Sequence, residues 1–204
     1  MSAPPSDPAL CDSSPSVVSI HSARLRLYLP APSLAKAVLK YYWENRDHLS
    51  PWSPPTPPGY YTEEFWRLRL AANRAEYVED RSLRLLVSPA DAENIIGSVA
   101  FTEFRRGPSQ ACHLGYGIDQ AHEGNGLMTE ALSAAIAFVF SRLAMHRIEA
   151  AYVPDNQRSA RALERLGFVI EGQARDYLFI NGKWRDHVLT SLTNPNVTEP
   201  GLAR

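Results

Sequence analysis

Two glycines, Gly124 and Gly126, follow a strand-like stretch that ends at Asp119 and precede a long run with helical apolar spacing. Glycine permits a tight turn at such a strand-to-helix junction, and the first N–H groups of the helix then have no partner within it. The partial positive charge at a helix N-terminus favours an anion, most often a phosphate. The spacing therefore predicts phosphate binding by main-chain N–H groups of residues 125–129, although packing or turn requirements alone also place glycine at many such junctions.

Other residues that could do chemistry lie on both sides of this turn. Gly115 and Gly117 in the preceding strand are typical of a bulge or of the close approach of a ligand. An N–H group between Tyr116 and Ile118 could stabilise a developing oxyanion. Beyond the next strand, Asn156 can cap a helix that has Ser159 at its third position. These two side chains could cap the helix, contact a ligand, or do both.

Composition excludes several classes of protein. The 204 residues, 45% of them apolar, suffice for one domain with a sizeable core. A formal net charge of −1 gives no general attraction to nucleic acid, so we expect no direct DNA binding. We find no apolar stretch long enough to span a bilayer and no secretory signal, and therefore expect no membrane partner. The two cysteines, Cys11 and Cys112, make no disulfide framework, which favours the reducing cytoplasm, and no Cys/His spacing indicates a metal.

The elements that must position these residues follow from the apolar periodicity. Residues 1–16, rich in proline and serine, are predicted to be a disordered tail, residues 17–193 the domain, and residues 194–204 a polar tail. The order β-α-α-β-β-β-α-β-α-β-β predicts a single α+β domain with a mostly antiparallel sheet. In the second helix, capped by Thr62, we expect a buried stripe formed by Phe65, Leu68, Ala72 and Ala75.

Two other segments carry specific expectations. Five prolines between residues 48 and 61 predict a stiff extended loop. Its aromatic residues either pack on the domain itself or form one wall of a substrate groove. Near the C-terminus, Asn181 and Gly182 between alternating runs predict a two-residue hairpin turn. That register pairs Phe179 with Trp184 and Asp176 with His187.

Together these motifs resemble the GNAT N-acetyltransferases, and within them the RimJ/RimL type of ribosomal-protein-alanine N-acetyltransferase, the RimJ branch most of all. The match is dense from residue 114 to 192 and looser before it. The matching stretches are Leu114-Gly115-Tyr116, Gly124-Asn125-Gly126-Leu127-Met128, Glu130-Ala131-Leu132, His146-Arg147-Ile148, Asn156-Gln157-Arg158-Ser159, Leu166-Gly167-Phe168, Glu171-Gly172, Asp176-Tyr177 and Trp184-Arg185-Asp186-His187. The resemblance implies a GNAT fold, acetyl-CoA as co-substrate without a metal, and a ribosomal-protein N-terminus as acceptor. It also admits association with the ribosome, and either a monomer or a homodimer.

The resemblance implies roles for individual residues. Cofactor binding falls to Tyr116, Gly117, Ile118, Glu123, Gly124, Asn125, Gly126, Leu127, Met128, Thr129, Asn156 and Ser159. Asn156 and Ser159 are also candidate catalytic residues near the pantetheine arm and the thiolate. Glu103 is the candidate general base, with a solvated strand-end charge as its alternative, and Glu171 is a second candidate. Trp52 and Tyr177 are candidate substrate-binding residues, although Tyr177 could equally be a half-buried strand residue.

The sequence departs from the family pattern at three positions, and one of them is Met128, where the phosphate loop often ends in Gly or Ala. Glu123 stands where the phosphate loop often begins with Gln or Arg, so we expect its side chain to turn outward and leave binding to the backbone. Leu163 stands where many members carry a tyrosine general acid, which leaves the proton donor open.

The proton demand of the reaction favours an N-terminal amine as the acceptor. Its pKa lies near 8 and that of lysine near 10.4, so deprotonating lysine costs roughly 3 kcal/mol more at neutral pH. A site without a strong acid or base is compatible with this easier acceptor. Two alternatives stay open: an acetyltransferase for a small amine or antibiotic, and a CoA-binding or ribosome-associated module with little catalysis.

Overall fold

The computed structural model describes residues 18–197, so the predicted N-terminal tail and the end of the C-terminal tail lie outside the described residues. The strands are β1 (Ser19–His21), β2 (Leu25–Tyr28), β3 (Leu83–Pro89), β4 (Gly97–Arg105), β5 (Ala111–Ile118), β6 (Arg147–Tyr152), β7 (Val169–Ile180) and β8 (Lys183–Thr193). The helices are α1 (Ala35–Glu44), α2 (Arg46–Leu49), α3 (Glu63–Val78), α4 (Leu127–Arg142) and α5 (Gln157–Arg165). None of the helices in this range has the length and apolar character to cross a membrane.

The strands form one mixed sheet in the order β1-β2-β3-β4-β5-β6-β8-β7. Neighbouring strands are antiparallel except β5 and β6, which confirms the predicted α+β class with a mostly antiparallel sheet. The parallel pairing joins Ala111–Leu114 to Arg147–Ala150 and stops there. Residues 115–118 of β5 therefore continue without β6 beside them. Their main-chain groups on that side are free to bind something else.

Helices cover both faces of this sheet. Alternate residues of β3 point to opposite faces, so Leu85 and Val87 join the large core cluster under α4, whereas Leu86 joins a smaller cluster under α1 and α3. The predicted periodicity of α4 is confirmed, because its buried residues include Leu132, Ala135, Ile136 and Val139. The sheet thus forms the middle layer of three.

Helix α3 begins as predicted but turns a different face inward. The Thr62 hydroxyl oxygen accepts a hydrogen bond from the Phe65 N–H at 3.3 Å, which confirms the cap. The predicted stripe is wrong, since Leu68 is 55% exposed while Trp66 and Leu70 are buried. Trp66 stacks flat on Tyr42 of α1 at 4.6 Å between ring centroids. Stacking of the large Trp66 and Tyr42 rings therefore determines which face of α3 is turned toward the core.

The proline-containing segment is only partly the extended loop that was predicted. Its first residues complete α2 and then form a 3-10 turn, Ser50–Trp52. Pro51 lies in the first turn of that helix, where the missing N–H is not needed. The turn places Trp52 at the same cleft as the end of β5.

The C-terminal hairpin has the predicted turn but not the whole predicted register. Asn181 and Gly182 both have positive φ, 46° and 79°, as a two-residue primed turn requires. Phe179 pairs with Trp184 as expected, but a bulge between Ala174 and Leu178 places Ala174 opposite His187. The predicted pairing of Asp176 with His187 is therefore wrong.

The physical reason lies in the bulge itself. Asp176 adopts a left-handed conformation, with φ 47°, and its N–H donates to Asp186 Oδ1 at 2.9 Å. A side-chain acceptor thus replaces the ladder partner that the bulge removes. At the end of β8, Asn194 is buried and its Nδ2 donates to the Phe140 and Met145 carbonyls, so contacts of the domain reach one residue beyond the predicted boundary.

Candidate active site

A cleft of about 570 Å³ opens where β5 leaves β6. The end of α2 with the Trp52 turn, the end of β5, the N-terminus of α4 and one side of α5 surround it. The predicted cofactor residues that line it are Tyr116, Gly117, Ile118, Glu123, Gly124, Gly126, Leu127, Met128, Thr129, Asn156 and Ser159. The remaining predicted cofactor residue, Asn125, is exposed beside the cleft and does not line it.

The N-terminus of α4 has the geometry of an anion site. Gly124 and Gly126 both adopt the left-handed conformation, with φ of 78° and 73°. The Glu130 N–H makes the first bond of the helix, to the Gly126 carbonyl at 3.0 Å, and no side chain within residues 18–197 caps the end. The N–H groups of residues 127–129 consequently have no partner inside the helix. A Cβ on Gly126 would meet nothing nearer than 3.9 Å, so its backbone conformation and not lack of space requires glycine.

The acid in the first turn of α4, Glu130, is paired with residues near the start of the described chain. The Glu130 carboxylate accepts hydrogen bonds from the main chain and the guanidinium of Arg24, at 2.8 and 2.7 Å, and from the Ser22 hydroxyl at 2.8 Å. Burial by itself would raise the pKa of Glu130, but these hydrogen bonds hold it below the ordinary value. The negative charge is thus compensated by Arg24 and does not repel an anion at residues 127–129.

Glu123 does not turn outward as expected. Its side chain is only 20% exposed and lies in the cleft wall between His48 and Arg158. The carboxylate is 3.3 Å from His48 Nε2 of α2 and 2.7 Å from the Arg158 guanidinium of α5. Ion pairing offsets the cost of removing the carboxylate from water. The prediction from sequence did not include these partners. The three side chains link α2, the glycine turn and α5 across the cleft.

A pair of hydroxyl groups lies in the wall of the cleft. Tyr116 Oη and Ser159 Oγ are 2.6 Å apart. Burial raises the pKa of Tyr116 to about 12, so its phenol keeps its proton at neutral pH. Asn156 holds Ser159 in place, because the Ser159 N–H donates to Asn156 Oδ1 at 3.1 Å, which confirms the predicted cap. Leu163 is buried in the core and has no proton to give, so Tyr116 and Ser159 together are the candidate donor.

Several predicted site residues lie outside the cleft. Glu103 is at the far end of β4, beside the pairing of Thr102 with His113, and its side chain is 70% exposed. Glu171 binds Arg147 and the Ser191 hydroxyl. The geometry therefore supports neither carboxylate as a base. Glu103 lies far from the cleft because of the strand register: the end of β4 that reaches the cleft is Gly97, which pairs with Ile118.

The two predicted substrate residues behave differently. Trp52 lines the cleft and is partly exposed, as a wall residue should be. Tyr177 does not line it. Its ring lies edge-on to His187 with 5.5 Å between centroids, on the bulged part of the hairpin.

Sequence reasoning missed several cleft residues. Arg161 and Arg165 follow Arg158 on the side of α5 that faces the cleft, and their spacing of three and four residues was a readable signal. His122 also lines the cleft, with Nδ1 2.6 Å from Asp119 Oδ1, a carboxylate that fixes the orientation of the ring. No sequence pattern indicated His48, because its position depends on how α2 folds against the glycine turn.

Residues 24–169 match the sequence profile of a family described as an acetyltransferase (GNAT) domain. The chain belongs to the GNAT acetyltransferase family. The ribosomal protein uS5-alanine N-acetyltransferase of Escherichia coli K12 is 44% identical over 161 residues, which cover 79% of this chain and 82% of that relative. The resemblance seen in the sequence is therefore confirmed, and the protein is an acyltransferase.

Solved structures of GNAT proteins agree with this fold. The ribosomal-protein-S5-alanine acetyltransferase of Vibrio fischeri superposes with a TM-score of 0.85 at 36% identity, covering 89% of this chain and all of the other. RimJ of Mycobacterium smegmatis, solved in complex with CoA-disulfide, gives a TM-score of 0.80 at 26% identity, with 90% of each chain covered. The second structure shows that a GNAT protein of this shape binds CoA.

Proposed function

We propose that this GNAT enzyme transfers the acetyl group of acetyl-CoA to the N-terminal alanine amine of a small-subunit ribosomal protein. The observation that carries the proposal is the cleft, in which the free N–H groups of residues 127–129 and the unpaired edge of β5 meet the Ser159 hydroxyl. The similarity to the enzymes that modify uS5 supports the choice of acceptor.

The residues present fit the chemistry of CoA from one end to the other. A diphosphate suits the N-terminus of α4, with the guanidinium groups of Arg161 and Arg165 on the opposite wall. The amide-containing pantetheine arm suits residues 115–118, whose main-chain groups lost their strand partner. The thioester end then belongs near Tyr116 and Ser159, whose two hydroxyl groups line the cleft.

The reaction requires two proton movements. The amine nitrogen attacks the thioester carbonyl carbon, a main-chain N–H of residues 116–118 stabilises the oxyanion, and the C–S bond then breaks. The nitrogen loses a proton to water, which suffices because an α-amine has a pKa near 8. The thiolate takes a proton from the Ser159 hydroxyl, which recovers one from Tyr116 through their 2.6 Å contact. Tyr116 regains its proton from water, which carries the one that the amine released, so the proton count balances.

The acceptor implies the surroundings of the enzyme. A ribosomal protein is synthesised and assembled in the cytoplasm, so we place the reaction there, with the ribosome as a transient neighbour of the enzyme. The proposal makes no use of a metal and is compatible with a monomer or a homodimer.

Mass spectrometry of an alanine-starting peptide incubated with acetyl-CoA and the enzyme tests the proposal. We expect a gain of one acetyl group at the α-amine. A matched peptide with a blocked N-terminus and an internal lysine, and spermidine as a small amine, are the controls. Acetylation of either control in place of the α-amine would contradict the proposed acceptor, and acetyl-CoA binding without any product would leave a CoA-binding module.

A further inference from the structure

The main-chain carbonyl of Gly117, near the end of β5, is enclosed from both faces of the sheet. On the α4 face, a Cβ on Gly97 would lie 2.9 Å from the Gly117 oxygen and 3.3 Å from Met128 Cε, so only glycine fits at position 97. On the α1 face, the Tyr41 hydroxyl donates to the same oxygen at 3.5 Å. A Cβ on Gly117 itself would lie 3.3 Å from Leu49 Cδ2, so α2 packs directly on this residue.

The direction of this carbonyl determines the direction of the next N–H group. The Gly117 carbonyl and the Ile118 N–H belong to one planar trans peptide and therefore point in opposite directions. The Asp119 N–H donates to the Ile96 carbonyl on the β4 side at 2.8 Å, and N–H groups of successive strand residues point to opposite edges. The Ile118 N–H is thus directed away from β4, to the edge that β6 leaves unpaired, where Ile118 lines the cleft.

Tyr41 is suited to act on this peptide from the far face of the sheet. The residue is only 3% exposed, and burial raises the pKa of its phenol, which therefore keeps its proton at neutral pH and can donate it. A hydrogen bond to a peptide carbonyl polarises the peptide and makes its N–H a stronger donor. The neighbouring Tyr42 has a different partner, because its hydroxyl donates to Ser98 Oγ at 3.4 Å and its ring stacks on Trp66.

We propose that Tyr41 and Gly97 are positioning residues for acetyl-CoA, which hold the Gly117–Ile118 peptide so that its N–H binds an amide carbonyl of the pantetheine arm. The inference rests on the proposed function, in which the diphosphate lies at the N-terminus of α4 and the thioester near Tyr116. Ile118 comes between these two places along the chain and therefore faces the arm that joins them. Neither Tyr41 nor Gly97 lines the cleft, so both act through the peptide and not by contact with the co-substrate.

Equilibrium binding of CoA and of adenosine 3′,5′-bisphosphate, which lacks the pantetheine arm, tests this role in the full chain. For Tyr41→Phe, the Kd for CoA should rise about two- to tenfold, the effect of one hydrogen bond, while the Kd for the bisphosphate stays unchanged. Gly97→Ala should raise the ratio of the two Kd values at least about tenfold, because the added methyl group displaces the Gly117 carbonyl and the N–H loses its partner. The matched controls are Tyr42→Phe and Gly172→Ala, at a strand glycine whose Cβ would meet nothing within 4 Å, and both should retain the wild-type ratio.

A second measurement needs no ligand and does not depend on the stability of the Gly97 variant. In protein labelled with heavy nitrogen at isoleucine, the Ile118 N–H signal is assigned by its disappearance in Ile118→Val. It should move in Tyr41→Phe, which removes the donor to its own peptide, and stay in place in Tyr42→Phe.

Two results would overturn the positioning role. One is an Ile118 signal that does not move in Tyr41→Phe, and the other is an equal loss of affinity for CoA and the bisphosphate, which a merely structural defect would cause. Failure of the wild type to bind CoA would instead contradict the proposed function itself, so the two failures are distinguishable.

Discussion

Replacing Ser159 by alanine tests the proton relay that the structure suggests. The substitution removes a hydroxyl whose oxygen is 2.6 Å from Tyr116 Oη and leaves the helix cap at Asn156 intact, because that cap uses the Ser159 main chain. If the hydroxyl protonates the departing thiolate, the variant should lose turnover while its affinity for acetyl-CoA changes little.

The size of the loss follows from the bond that disappears. A hydrogen bond to a charged group contributes about 1.5–3 kcal/mol, which corresponds to roughly 10- to 150-fold in kcat. A thiol with a pKa near 8.5 is a good leaving group, so we expect the lower end, about 10- to 30-fold. The free energy of unfolding should decrease by less than the activation free energy rises, because the Tyr116 hydroxyl still reaches the Ser159 carbonyl at 3.3 Å. The expected loss of unfolding free energy is about 0.5–1.5 kcal/mol.

Steady-state release of the CoA thiol with an alanine-starting peptide measures kcat and KM separately. Ser133→Ala, which removes an exposed hydroxyl on α4, is the matched control and should behave as the wild type. Tyr116→Phe should lower kcat by about 3- to 10-fold, since Ser159 keeps its own proton but loses the neighbour that replaces it. Because the two groups act in series, the double variant should be no slower than Ser159→Ala alone.

Two results would refute this reasoning. A kcat within twofold of the wild type for Ser159→Ala would show that the hydroxyl does not take part in the rate-determining step. If the loss of kcat in the double variant equalled the product of the two single losses, Tyr116 and Ser159 would act independently.

Three other perturbations have definite expected outcomes. Glu123→Gln removes the negative charge at the glycine turn and frees Arg158. The KM for acetyl-CoA, measured in the thiol-release assay, should therefore fall by about two- to tenfold at unchanged kcat. A higher KM would mean that the ion pairs shape the site. Thr62→Ala removes the cap of α3 and should lower the unfolding free energy by about 1 kcal/mol in urea denaturation, with kcat unaffected, and no change would argue against the cap. The pKa of Glu130 is lowered in the folded state, so its stabilisation is present above the ordinary glutamate value of about 4.3 and is lost as the pH falls through the folded-state value. Unfolding of Glu130→Gln followed from pH 7 to pH 3 should therefore be less pH-dependent than that of the wild type, and parallel curves would contradict the assignment.

The sequence by itself determined the features that depend on local chain properties. The glycines at 124 and 126, the caps at Thr62 and Asn156, the Asn181-Gly182 turn and the apolar period of α4 are each dictated by a few neighbouring residues. Backbone conformation and short-range hydrogen bonds decide them, and these change little with the surroundings. The family resemblance added the fold and the transferase activity, because its motifs lie at those same local features.

Only the tertiary structure decided which side chains meet across the cleft. Glu103 was assigned to the site by its strand, but the register of β4 on β5 carries it to the opposite end. Glu123 was expected outside, but His48 and Arg158 arrive from separate helices and make burial of its charge tolerable. The contact of Tyr116 with Ser159 joins positions 43 residues apart. Distances between remote residues depend on packing of the whole chain, which no local pattern contains.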